Sequence, residues 1–327
     1  MGTVFARAPL RISLGGGGTD LPSWYREHGG FVVSAAIDKY VYVLATNRFA
    51  SNFTLKHLAW EEAARAEEIE HPILREAIVR HGGGGPLELA SIADVPPGPG
   101  LGSSGAYAVC TLRALNLLRG VDPGAAELAR LASELEIDVL ERSVGKQDQY
   151  VSAHGGVCAL TFGRDDSVEV RRLELDDAAA AALRERFLLF FTGGERSASD
   201  MFGHQVNATL AGDEAIRANL GRTAELAREV ADALERGDLA RCGELMNEGW
   251  EIKRSRAPGL VTERMQELRD LALDAGAAGV TLMGAGGAGF LLVYAPEPER
   301  VRPALAGATA PELPFAIDNE GCSGRLY

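Results

Sequence analysis

The chain has 327 residues, of which 39 are glycine and 46% are hydrophobic, so it is globular rather than disordered or collagen-like. Its 33 basic and 46 acidic residues leave a net charge of −13, which gives no reason to expect nucleic acid or an anionic membrane as a partner. Cys110, Cys158, Cys242 and Cys322 form no C-x-x-C pair, so the expectation is a reduced, cytoplasmic protein without a metal cluster or disulfide framework. Arg7 and Arg11 interrupt the N-terminal apolar stretches, and no window approaches the ~20 apolar residues of a membrane span.

In chain order, β-rich runs occupy 5–14, 31–37 and 40–48, the last two separated by Asp38-Lys39 as a tight turn signal. A helix is expected over 71–81, then the Gly82–Gly85 run, then a strand over 87–93. The spacing turns helical over 103–118 and again over 122–142, where Leu128, Leu131, Leu135 and Val139 share a face and Asp122-Pro123 makes an N-cap and first turn. Strands return at 157–162, 168–175 and 187–192. Helices follow over 199–236 with a break near Gly212, then 238–254 and 262–275. Strands at 280–283 and 290–295, a helix near 297–306 and a strand in the last ten residues close the chain. The reading is two α+β domains, 1–185 and 186–327.

The sharpest segment is Pro96-Pro97-Gly98-Pro99-Gly100-Leu101-Gly102-Ser103-Ser104-Gly105-Ala106, after a strand and at the start of a helix. Glycines expose backbone N–H groups there and a helix N-terminus adds partial positive charge, so the segment suits a phosphate chain, although a serine-capped turn has the same composition. The windows 100–105 and 284–289 also satisfy G-x-G-x-x-G. Neither is followed by the helix, strand and acidic residue of a dinucleotide fold, and the P-loop ending is absent. The run Gly15–Gly18 leads into Thr19 and Asp20, a place where backbone approaches a polyhydroxylated ligand and a carboxylate accepts its hydroxyls. Gly82–Gly85 has no polar companion and reads as loop.

Three segments resemble the motifs of the GHMP kinase superfamily: Ala8-Pro9-Leu10-Arg11 through Thr19-Asp20, the 96–106 loop, and Met283 through Phe290. Further phrases are similar to the sugar 1-kinases that act on D-glycero-D-manno-heptose 7-phosphate: Ala36 to Tyr42, Val144 to Tyr150, Arg196 to Asp200, and Glu248 to Arg254. The fold this implies has an N-terminal ribosomal protein S5 domain 2-like ATP-binding domain and a C-terminal ferredoxin-like α/β sandwich. The implied reaction is ATP-dependent phosphorylation of the anomeric hydroxyl of that heptose phosphate. L-Fucose or an unphosphorylated hexose or heptose is the alternative substrate, and a silent sugar sensor the alternative class.

By the same resemblance, ATP lies against Pro97, Gly98, Gly100, Leu101, Gly102, Ser103, Ser104 and Gly105, with Mg²⁺ on Ser103 and Glu136. Asp148 is the implied base and Arg11 stabilises the transferring phosphoryl group. The implied sugar site draws on Gly16, Gly17, Gly18, Thr19, Asp20, Lys146, Arg196, Lys253 and Gly286, with Arg196 and with Lys253, Arg254 and Arg256 as candidates for the substrate's own phosphate. Glu136 lies about 100° around its helix from the core face, free to reach a cleft or to remain a solvated carboxylate like Glu127. Gly17 stands where galactokinase has a sugar-binding glutamate, Thr281 lies where a lysine is expected, and Gly105 replaces a more usual Ser or Ala. The implied partner is a small sugar phosphate, with a homodimer as the assembly to test.

Overall fold

A computed structural model describes all residues except 1, 50, 99, 194–204, 208, 258, 285 and 288. Strand β1 (Thr3–Gly15) runs antiparallel to β2 (Gly30–Asn47), with the short helix α1 (Pro22–His28) between them. A hairpin of β3 (Phe53–Lys56) and β4 (Trp60–Ala63) follows, then α2 (Pro72–His81) and β5 (Leu87–Ala93). Next come helices α3 (Ser103–Leu118), α4 (Ala125–Glu134) and α5 (Gln147–His154), strands β6 (Val157–Phe162) and β7 (Val168–Arg172), and α6 (Asp177–Glu185).

Asp38-Lys39 is not a turn. The residues lie inside one 18-residue strand, where the register jumps from Pro9↔Tyr40 to Leu10↔Ile37. Proline cannot donate to the ladder, so the pairing breaks opposite Pro9 and the two polar residues bulge out. The bulge is satisfied from the far end of the chain: Asp38 N–H donates to the Ala316 carbonyl, and Ala316 N–H donates to Asp38 Oδ1, both at 2.9 Å. The bulge also marks a change of neighbour, since residues 30–35 pair with β6 and residues 41–47 pair with β5.

The helix expected over 122–142 is shorter and changes type. It starts at Ala125 after Gly124, and α4 gives way to a π-helical turn over Leu135–Val139. Helix α3 lies across β1 and β2, burying Ala106, Ala108, Val109, Leu112 and Leu115 against Leu10, Ile12 and Ile37. Burial of such side chains, about 1.5–3 kcal/mol each, fixes the helix whose first turn carries the serines.

Strand β8 (Phe187–Gly193) opens a three-stranded antiparallel sheet in the order β8, β10 (Gly289–Tyr294), β9 (Gly279–Leu282). Around it are α7 (Glu214–Glu235), α8 (Leu239–Arg256), α9 (Glu263–Asp274) and α10 (Pro298–Gly307). The expected break near Gly212 is a helix start: Asp213 Oδ1 accepts the N–H groups of Ala215 and Ile216. Helix α7 also packs on β1 and β2, tying the second sheet's helices to the first sheet. The last strand, β11 (Ser323–Leu326), returns to the outer edge of β1.

Candidate active site

A cavity of about 660 Å³ opens between the two sheets' helices. Pro97, Gly98, Gly100, Gly102, Ser103 and Ser104 line one wall. Gly98, Gly100 and Gly102 all have positive φ, and Gly102 in the left-handed region starts α3. The Ser103 hydroxyl is buried without a partner among the described residues, as a group awaiting a ligand is. Two residues expected on this wall point elsewhere. Leu101 is buried in the core and its carbonyl accepts the Arg11 N–H at 3.0 Å, while Gly105 packs beneath the loop.

Gly105 has a specific duty there. A Cβ at this position would lie 2.6 Å from Asp148 Cβ, so only glycine lets the first turns of α3 and α5 approach this closely. Asp148 consequently sits beside the loop, and Arg11 donates to its Oδ1 through both Nε (2.8 Å) and Nη2 (2.7 Å). Asp148 Oδ2 has no hydrogen-bond donor among the described residues. Arg11 also donates to the Gly100 carbonyl at 2.5 Å, so one guanidinium fixes the loop and the carboxylate together.

Asp20 lines the cavity but is bound to backbone: Oδ1 accepts the Gly18 N–H at 3.0 Å and Oδ2 the Gln147 N–H at 3.1 Å. Burial, with the nearby Asp148 charge adding to it, raises its pKa above the ordinary carboxylate value. A Cβ on Gly145 would overlap Asp20 Oδ2, at 1.8 Å. The Gly15–Gly18 run is mostly packing. Gly16 lines the cavity at positive φ, but a Cβ on it would strike the Phe31 carbonyl at 2.1 Å; Gly17 is open toward Ser13 and Gln147. Gly18 and Thr19 do not reach the cavity. The Gly18 carbonyl accepts from Gln205, and the Thr19 hydroxyl serves the Gly16 and Phe31 carbonyls at 2.8 and 2.9 Å.

The basic candidates separate in the same way. Lys146 turns away from the cavity, donating to the Asp166 carbonyl at 3.1 Å and lying over the Tyr25 ring. Arg254 pairs with Glu251 on the surface, and Arg196 lies outside the described residues. Arg256 is buried and Lys253 half-buried in the cavity wall. Lys253 donates to the carbonyls of Leu282 (2.9 Å) and Gly284 (2.5 Å). Arg256 donates to the carbonyl of Gly17 and to Asn219, Thr223 and Gln205. Burial first, then the charges of Arg256 and Arg11, pull the Lys253 ammonium down to about 7; burial likewise lowers Arg256 to about 10. Gly284 meets the 98–102 glycine loop directly, since a Cβ on it would lie 2.4 Å from Gly100 Cα. Gly286 instead packs against the Leu260 backbone, away from the cavity.

Residues 71–156 match the GHMP kinases N terminal domain and residues 230–310 match the GHMP kinases C terminal domain. The chain belongs to the GHMP kinase family. It is 28% identical over 311 residues, 90% of each chain, to the D-glycero-alpha-D-manno-heptose 7-phosphate kinase of Campylobacter jejuni. It is also 25% identical over 326 residues to the bifunctional fucokinase/GDP-fucose pyrophosphorylase of Arabidopsis thaliana, covering 90% of this chain and 30% of that protein. Among solved structures, a D-glycero-D-manno-heptose 1-phosphate kinase from Bacteriodes thetaiotaomicron superposes with a TM-score of 0.79 over 98% of each chain at 25% identity. The two-domain α+β architecture is therefore that of the family, and a GHMP kinase is a phosphotransferase that uses ATP, generally with Mg²⁺.

The pair expected to hold the kinase's Mg²⁺ is split in this structure. Ser103 faces the cavity, but Glu136 lies in the π-helical turn behind that wall, fully buried. Its Oε1 accepts from Arg142 at 3.0 Å and its Oε2 from Gln149 at 2.7 Å, with the Ser104 hydroxyl also bonded to the carboxylate. Both Glu136 oxygens are therefore taken by protein donors. Sequence reading also passed over Arg142 and Gln147, which line the kinase cavity beside Asp148. A helix-terminal Gln and a loop Arg carry no periodicity or motif that singles them out. His57 and His71, scattered in sequence, meet at the far end of the same cavity with ring centres 4.9 Å apart.

No helix of the described residues is long and apolar enough to cross a membrane.

Proposed function

We propose that this kinase transfers the terminal phosphoryl group of ATP to the anomeric hydroxyl of a sugar, D-glycero-D-manno-heptose 7-phosphate, giving the 1,7-bisphosphate. The observation that carries the reading is Asp148, held through one oxygen by Arg11 at 2.8 Å beside the glycine loop while its other oxygen is free of protein donors among the described residues. Such a carboxylate accepts the hydroxyl proton as the sugar oxygen bonds to phosphorus and the bond to the ADP oxygen breaks. Arg11 adds positive charge where the phosphoryl group passes. Gly98 to Ser103 with the α3 N-terminus cradle the nucleotide phosphates.

The phosphorylated substrate is supported by Lys253 and Arg256. Arg256 is buried and Lys253 half-buried in the cavity wall, and neither has a carboxylate within ion-pair distance among the described residues. A cation withdrawn from water without a counter-charge is costly, and an anionic ligand offsets that cost. Arg196 is a further candidate for the substrate's phosphate, and Asp20 with Gly16 and Gly17 for the sugar hydroxyls. The fucokinase relative favours a second reading, a neutral sugar such as L-fucose.

ADP release against a panel of sugars and sugar phosphates, with phosphorus NMR of the product, tests both readings. The expected result is activity on the heptose 7-phosphate with the new phosphate on the anomeric carbon. Activity on neutral sugars alone sinks the heptose assignment, and a phosphate on any other carbon overturns the mechanism. Sizing the same preparation in solution tests the homodimer.

A further inference from the structure

Lys253 and Arg256 lie one turn apart on α8, and on that spacing their side chains share a face. Each spends its charge on the backbone of a different glycine loop. Lys253 holds Gly284, which presses on Gly100, whose carbonyl holds Arg11, which holds Asp148. Arg256 holds the Gly17 carbonyl at 3.0 Å. The next residue, Gly18, donates to Asp20, which in turn fixes the N–H of Gln147, the neighbour of Asp148. Two chains of contact therefore start on one face of α8; one ends on the Asp148 carboxylate and the other on the backbone of the residue before it.

We infer that Lys253 and Arg256 are positioning residues, a two-armed brace through which α8 aims Asp148 at the acceptor hydroxyl. The inference rests on the reading of Asp148 as the base. Charge-assisted donors suit the task because they hold a carbonyl more strongly than a neutral amide does. Both arms cross from the helices of the second sheet to loops of the first, so the aim of Asp148 depends on how those helices seat. The glycine contacts leave little slack, since Gly100 and Gly284 touch backbone to backbone.

The test is steady-state kinetics of Lys253→Met and Arg256→Gln, alone and in an Asp148→Asn background, with thermal unfolding of each. A misplacement of about 1 Å costs on the order of a hundredfold, so each single variant is expected to lower kcat by about ten- to a hundredfold. In the Asp148→Asn background the same changes are expected to alter the residual rate by less than about threefold, because the brace acts through that carboxylate. Asn219→Ala and Thr223→Val, which loosen Arg256 without removing it, provide a second measurement where Arg256→Gln fails to fold. Each is expected to lower kcat by about two- to fivefold with the unfolding temperature retained.

Three results overturn the brace: kcat retained with only the sugar KM raised, losses that persist in full in Asp148→Asn, or an unchanged kcat in both Asn219→Ala and Thr223→Val. If Asp148→Asn itself keeps the full rate, the reading of Asp148 as the base fails first. An inactive Asp148→Asn beside fully active Lys253 and Arg256 variants removes the brace alone.

Discussion

Gly15, Gly16 and Gly17 line the same cavity as Gly98, Gly100 and Gly102, but the polar groups beside the two runs differ. The first run lies among groups already satisfied: the Thr19 hydroxyl bonds backbone, and both oxygens of Asp20 take N–H groups. The second has three positive-φ glycines and ends at a serine hydroxyl with no partner among the described residues. Similar composition thus meets bonded polar groups in one loop and an unpartnered hydroxyl in the other. The difference comes from neighbours: the Phe31 carbonyl closes on Gly16, while Arg11 and Asp148 lie against Gly102 and no described group bonds the Ser103 hydroxyl.

Substitutions can break this comparison. The largest effect is expected at the second loop's base, where Gly105→Ala would push Asp148 away from a Cβ contact of 2.6 Å. Its kcat should fall by about a hundredfold, with about 1–3 kcal/mol of stability lost in urea as the two helix turns are forced apart. A kcat within threefold of normal would mean that α3 and α5 can separate without moving Asp148. Gly16→Ala should act mainly on stability. With φ at 88° and the Phe31 carbonyl 2.1 Å from the new Cβ, it should lose at least about 2 kcal/mol of stability by urea denaturation.

A smaller effect, in pH, concerns the Lys253 arm between the loops. Folding lowers the lysine from 10.5 to about 7, so between those values the unfolded chain holds the proton and the folded one releases it. Stability should therefore rise from pH 7 to 8.5, by at most about 1.4 kcal/mol per unit. Urea midpoints across that range measure it, and Lys253→Met should flatten the rise. The smallest effect marks the control: a Cβ on Gly85 meets nothing within 4 Å. Gly85→Ala should change both kcat and stability little, within about 0.5 kcal/mol for stability.

Local chemistry made much of this molecule readable. The glycine-serine segment before an apolar helix marked the loop and the start of α3 at Ser103, and alternation marked β5 and β6 at their observed ends. Asp38-Lys39 misled because a polar pair inside an apolar run has the composition of a turn; that it bulges depends on Pro9 and on residue 316, distant in sequence. Thr19, Lys146 and Gly286 had suitable residue types at suitable positions, yet their partners, Phe31, Asp166 and Leu260, are set by packing. Glu136 shows a subtler failure. An α-helical spacing argument turns it toward a cleft, but the π-helical turn rotates it behind the loop and onto Arg142.

The return of β11 to β1 bears on the order in which the protein acquires activity. Arg11 lies on the first strand, whose outer edge pairs Val4 with Leu326 and whose Arg7 bonds Ser323 across 316 residues of chain. On a ribosome that strand remains half-paired until β11 has been made. Contacts of such long separation slow folding, so a nascent chain has its glycine loop before it has a settled platform for Arg11.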